Sequence, residues 1–341
     1  MTGPGTNSYV LGDPPIAVID PGPDDGTHIT LLRAAVPRLR FVFVTHTHRD
    51  HSCSAHALAQ ATGAALVGLP PPADGLQDMT CLPSVEAAHD RVFALDDDGD
   101  GARGHSERRA DAAAAPRAIQ APHSVRLRAI HTPGHASNHV CFLLEEEGLL
   151  FSGDHVLDGV TPVILPPDGD MAAYLDSLVR LKACAPRAIA PGHGRVIGDP
   201  VRVIDSVIAH RGRREAKVLA VLDRHRRGTL DGLLADVYDD VKSELLPIAR
   251  YSLEAHLIKL HREGRAERDG DIWVASGRAA QEVGQEVGQE VGQEVGQEVR
   301  QEVRQEVGQD VGQDVGLAAP AIGQTEQDGA GQSPPRRVSG E

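Results

Sequence analysis

Over the first 200 residues, apolar positions fall in short runs closed by small or turn-forming residues. These are Phe41-Val42-Phe43-Val44, Val125 to Ile130, Leu149-Leu150-Phe151 and Ala188-Ile189-Ala190. Runs of this length, bounded by Gly, Pro and Ser, predict buried strands. After Pro200 the pattern changes. Val201 to Leu222 predicts one or two helices, Leu230 to Val237 another, and Ser252 to Glu263 a third with Leu253, Leu257, Ile258 and Leu260 on one side. Gly264 ends that helix, and Arg265 to Val274 reads as a hairpin turning at Asp269-Gly270. Residues 281–316 are nine tetrapeptides of QEVG, QEVR or QDVG type. A four-residue period drifts by about 40° per unit around a helix, and each glycine costs about 1 kcal/mol there. That segment predicts a disordered tail, continuing to residue 341.

Charge and composition narrow the picture. The net charge is -15, and about half of it lies in the repeats, where nine acids face only Arg300 and Arg304. Residues 211–275 are nearly balanced, with 13 basic and 12 acidic side chains, and aromatic platforms for stacking bases are scarce. Cys53, Cys81, Cys141 and Cys184 show no paired spacing and read as reduced thiols of a cytoplasmic protein. No apolar stretch approaches the roughly 20 residues that span a bilayer, so no membrane partner is expected. Residues 96–122, rich in Asp, Gly and Ala, read as a surface insertion. Asp96, Asp98 and Asp100 lack the remaining ligands of a calcium loop.

The strand candidates end in residues that carry chemistry. Phe41 to Val44 leads into His46-Thr47-His48-Arg49-Asp50-His51, with three imidazoles and a carboxylate in six residues. Alternate residues of an extended segment point the same way, so His46 and His48 can converge on one metal while Asp50 and His51 face a neighbour. The other runs lead into His131-Thr132-Pro133-Gly134-His135, Ser152-Gly153-Asp154 and Pro191-Gly192-His193-Gly194. Singly, each histidine has an incidental reading. Jointly, four strand ends presenting His or Asp in order predict an active site for Zn(II), Mn(II) or Fe(II).

At these motifs the chain resembles the metallo-beta-lactamase superfamily over about residues 3–200. The resemblance implies an α+β fold, an αββα sandwich with two divalent metal ions at the sheet edges. Carried over, one metal takes His46, His48 and His135, the other Asp50, His51 and His193, with Asp154 bridging. It also implies a hydrolase in which water held between the cations loses a proton, with Asp50 as the catalytic carboxylate. His139 is expected behind the ligands or on the surface, with contact to substrate the alternative, and Cys53 as an inert small residue rather than a soft metal contact. Relatives usually carry one or more strands before the segment matching Thr2 to Leu11, so either the start is misassigned or the first strand is absent, which would leave a sheet edge open. The helices and hairpin after Pro200 resemble the winged-helix module of the beta-lactamase-like protein 2 group, which includes endoribonucleases. The expected organisation is a catalytic domain at 1–200, a winged-helix-like domain at 201–276 and a tail at 277–341. The expected activity is a phosphodiesterase acting on single-stranded RNA, with Arg49, Arg250, Lys259, Arg262 and Arg265 as candidate phosphate contacts. The alternatives are thioester hydrolysis of the glyoxalase II type, a lactonase or esterase on a small molecule, and a nucleic-acid-binding regulator. A homodimer is the candidate assembly.

Overall fold

The computed structural model describes residues 5–73, 77–95 and 125–276, and the backbone of Gln324–Thr325. The expected insertion at 96–122 lies outside these residues, as does the expected tail apart from those two. Contacts divide the described residues into two compact units that part at Ile208 and Ala209.

The first unit holds two sheets. One contains β1 (Ser8–Leu11), β2 (Ala17–Ile19), β3 (Phe41–Phe43), β4 (Ala65–Gly68) and β5 (Val85–Glu86); the other contains β6 (Val92–Ala94), β7 (Arg126–His131), β8 (Val140–Leu144), β9 (Leu149–Gly153) and β10 (Ala188–Pro191). They run in the orders β1-β2-β3-β4-β5 and β10-β9-β8-β7-β6. Strand β3 shows why the runs are uninterrupted. Phe41 and Phe43 face the core between the sheets with Phe93, Phe142 and Phe151, while Val42 and Val44 join Leu32, Leu58 and Leu66 in a second cluster beneath the helices. Strands parallel to their neighbours and buried on both faces need apolar residues at every position.

Helix α1 (Gly26–Ala35) is capped by Asp25, whose side chain accepts from the backbone N–H of Thr27 and His28. A single turn, α2 (Arg49–Ser52), and α3 (Ala55–Thr62) follow β3. On the other sheet, α4 (Met171–Ala183) bonds to the strand-end turns, Tyr174 donating to the carbonyl of His155 and Ser177 to that of Pro133. The layers are therefore helix, sheet, sheet, helix.

Helix α5 (Pro200–His225) is one helix and carries the chain across the division between the units. The second unit has its own core, in which Trp273 packs with Leu222, Leu233, Leu253, Leu257 and Leu260. Strand β11 (Arg227–Thr229) precedes α6 (Leu230–Val237) and α7 (Leu246–Arg262), and the hairpin is β12 (Ala266–Asp269) with β13 (Ile272–Ala275). Two features differ from expectation. Helix α7 begins six residues early because Pro247 falls in its first turn, where a missing N–H costs nothing. Strand β11 pairs with β13 to give a three-stranded wing, although Arg-Gly-Thr has no alternation to reveal it.

The outer edge of β1 pairs with β14 (Gln324–Thr325). Tyr9 and Ser8 supply the register, against Gln324 and Thr325. An edge strand with unpaired N–H and C=O groups accepts any extended segment of backbone.

Candidate metal centre

Each candidate ligand sits where a strand ends. The turn after β3 is held by Asp20, at the end of β2: its carboxylate accepts from the Thr45 backbone N–H and hydroxyl, both at 2.7 Å. The same carboxylate holds Nδ1 of His51 at 2.9 Å. His135 donates Nδ1–H to the carbonyl of Val163 at 2.8 Å, and His193 does so to that of Gly5 at 2.8 Å. Nδ1 of His46 meets the Thr45 hydroxyl at 3.0 Å. With Nδ1 engaged on an oxygen, these four imidazoles turn Nε2 inward as a lone pair, the arrangement that fixes tautomers around metals. His48 instead presents Nδ1.

All seven candidate ligands come together. His48 Nδ1 lies 2.9 Å from Nε2 of His46 and 3.1 Å from Nε2 of His135. Asp154 Oδ1 lies 3.3 Å from Nε2 of both His51 and His193. Nε2 of His193 is 3.3 Å from Asp50 Oδ2, and Asp154 Oδ2 reaches to 3.7 Å from His135. Among the described residues, three groups have their ligand atoms mutually within 4.8 Å: His46, His48 and His135; His46, His51 and Asp154; Asp50, His51 and His193.

Orphaned atoms test whether cations fit. Nε2 of His51, Nε2 of His193 and Oδ1 of Asp154 are buried without a hydrogen-bond partner, and they face one another. Buried polar atoms without partners are costly, and here they form a neutral-imidazole and carboxylate donor set that a divalent cation satisfies. Against burial, Asp154 and Asp20 raise His51 well above the usual histidine range, and Asp154 and Asp50 take His193 up to about 9, so these two rings carry protons that a cation would displace on binding. Burial and the neighbouring imidazoles hold His46 well below the usual histidine range, and burial takes His48 down to about 4. Burial opposes charge on Asp154 too, yet His51 and His193 keep its carboxyl well below the usual range. Asp50 is likewise held to about 2, against burial, by His193.

Backbone shape makes room for the site. Gly134 has φ +141°, and a Cβ there would lie 2.3 Å from Cα of Tyr174. A Cβ on Gly192 would lie 2.6 Å from the His51 ring and 2.7 Å from Asp154 Oδ1. The glycines of the TPGH and PGHG turns are thus the means of close approach.

His139 is fully buried, which excludes both a surface place and contact with substrate. Its Nε2 accepts from the Asp154 backbone N–H at 3.2 Å and its Nδ1 engages the Thr132 hydroxyl at 2.9 Å, so it stands behind the acid. Cys53 is outside the ligand groups, and burial raises its thiol pKa. Of the candidate phosphate contacts, Arg250 pairs with Asp231, while Lys259 and Arg265 both bond to Glu215. Arg49 is exposed, between His48 and Asp50. Asp20 was given no role by its sequence, although its signal was available: it is an acid closing the apolar run Ile16 to Ile19, the setting shared by the other ligand turns.

Residues 1–193 match the family described as the metallo-beta-lactamase superfamily, and residues 229–273 match the beta-lactamase associated winged helix domain. A protein named beta-lactamase-like protein 2 homolog from Drosophila melanogaster is 36% identical over 141 residues, 41% of this chain and 47% of that protein. The chain thus aligns with about half of that relative's length. One of the same name from Caenorhabditis elegans is 27% identical over 292 residues, 82% of this chain and 87% of that protein. The crystal structure of a metallo-beta-lactamase family protein from Thermus thermophilus superposes with a TM-score of 0.59 at 21% identity, covering 79% of this chain and 93% of that one.

Proposed function

The chain belongs to the metallo-beta-lactamase superfamily, and within that hydrolase family we propose that it is a phosphodiesterase cutting single-stranded RNA with two zinc ions. The observation that carries the reading is the convergence of Nε2 of His51, Nε2 of His193 and Oδ1 of Asp154, three buried atoms that want one acceptor of electron pairs. His46, His48 and His135 would hold one ion, Asp50, His51 and His193 the other, and Asp154 would bridge. Two such ions supply an acidified water and neutralise charge that develops on a phosphoryl or acyl oxygen.

The chain's own groups do the rest. Asp20, Val163 and Gly5 fix three imidazoles through Nδ1, so the ligands are oriented before anything binds. Asp50 is the most open carboxylate of the site, with its side chain 35% exposed. Ionised at neutral pH, it orients an attacking water and passes the proton to the leaving oxygen as the P–O bond breaks. Arg49 offers a cation to the phosphate from the same turn. The winged-helix match supports RNA over a thioester only through the likeness to proteins named beta-lactamase-like protein 2 homolog, the group that includes endoribonucleases. The four cysteines are unpaired, in keeping with a cytoplasmic setting. Among the described residues no helix is long and apolar enough to cross a membrane.

The test is cleavage of labelled single-stranded RNA by protein loaded with Zn(II) or Mn(II). Cleavage by the wild type and its loss, by at least about 10²-fold, in Asp154→Ala is expected. A fully loaded protein that hydrolyses thioesters or lactones and leaves RNA intact would overturn the reading.

A further inference from the structure

We infer that Arg195, paired with Asp158, is a specificity-determining cation on the rim of the metal centre that binds a phosphate of a single-stranded nucleic acid beyond the one being cut. The inference rests on the phosphodiesterase reading for its substrate class and on separate residues for its geometry.

Arg195 is two residues past His193, so its Cα lies within roughly 7 Å of that ligand's Cα. Asp158 is four residues past Asp154. The two turns lock together: a Cβ on Gly194 would lie 2.8 Å from Cβ of Asp158, and the Arg195 backbone N–H donates to Asp158 Oδ2 at 3.2 Å. Asn7 fixes the other side, donating Nδ2–H to the carbonyls of Gly194 at 2.8 Å and Pro191 at 3.0 Å. The backbone that carries Arg195 is therefore tied to the same strand ends as the metal ligands.

The side chain is not tied in the same way. It is 91% exposed, and its one bond is from Nε to Asp158 Oδ2 at 3.3 Å. Among the described residues its Nη groups have no partner. An exposed pair of this kind is weak, so it aims the guanidinium without consuming it. A planar fork with free Nη groups is suited to phosphate. Val160 and Val196, close to the pair in sequence, are 60% and 51% exposed, apolar surface that a base or sugar can use. Arg49, the other exposed cation of these turns, lies between His48 and Asp50. One arginine next to each motif gives two phosphate contacts for a strand crossing the centre.

Metal-loaded protein is titrated into a fluorescein-labelled, nuclease-resistant 2′-O-methyl phosphorothioate 12-mer, with anisotropy read at several salt concentrations. Arg195→Ala should weaken binding about 5- to 10-fold at low salt and lower the salt slope by about 0.7, the value for one phosphate contact on a single strand. Arg195→Lys should restore the slope but not all of the affinity. An unchanged slope in Arg195→Ala, or no binding of the 12-mer by the wild type, overturns the inference. RNA cleavage assayed in parallel separates the two readings. Binding that depends on Arg195 without cleavage would sink the phosphodiesterase and keep the cation, whereas cleavage indifferent to Arg195 would do the reverse.

Discussion

Asp20 carries much of the site without touching its centre. One carboxylate accepts from the Thr45 backbone, the Thr45 hydroxyl and His51 Nδ1, so the turn and the ring orientation are set by one side chain. Asp20→Asn turns one acceptor oxygen into an amide donor facing groups that themselves donate. Metal affinity at the His51 position should fall about 10- to 100-fold, the range for such supporting partners, as measured by competition with a chromophoric chelator. Unchanged affinity would mean that the strand ends alone orient His51. Gly134→Ala tests the TPGH turn: the added methyl meets the backbone of Tyr174, and a loss of about 2–4 kcal/mol is expected from denaturant unfolding, with His135 displaced from the metal.

At the scale of elements, the ligand turns were legible because a motif and its strand are read together. A run of apolar residues followed by small residues and a histidine fixes both the element and its chemistry. What was not legible depends on contacts distant in sequence. Asp20 gains its role from a turn 25 residues later, and His139 from an N–H 15 residues on. Strand β11 exists only because β13 offers it an edge. In the second unit, Glu215 receives Lys259 Nζ at 3.0 Å and Arg265 Nη1 at 3.1 Å, joining α5, α7 and the start of the wing. Burial opposes its charge, but His256 and Lys259 hold its pKa down to about 2. A carboxylate with a depressed folded pKa stabilises fully above its ordinary value near 4.5 and loses that contribution as pH falls towards about 2. The winged-helix unit should lose stability across that window, monitored by the fluorescence of Trp273. In Glu215→Gln the pH dependence should flatten. An equally steep profile in the variant would assign the acid sensitivity elsewhere.

For the whole molecule, the strands and helices agree with the apolar pattern, and the αββα sandwich with what the resemblance at the motifs implies, because two-sided burial and strand-end turns are local in sequence. The phosphate contacts agree less well. Lys259 and Arg265 are held by the partly buried Glu215, and Arg250, paired through Nε with Asp231 as Arg195 is with Asp158, belongs to the other unit, which leaves the cations beside the metal motifs, Arg49 and Arg195, as the better candidates. That shift comes from pairing and placement, which charge counts along a sequence do not reveal. The proposed chemistry depends on two ions held by seven side chains, so the most direct measurement is metal content by elemental analysis after loading and desalting. Two equivalents per chain are predicted for the wild type and fewer than two for Asp154→Ala. A wild-type protein that retains one equivalent or none under the same conditions would contradict the binuclear centre.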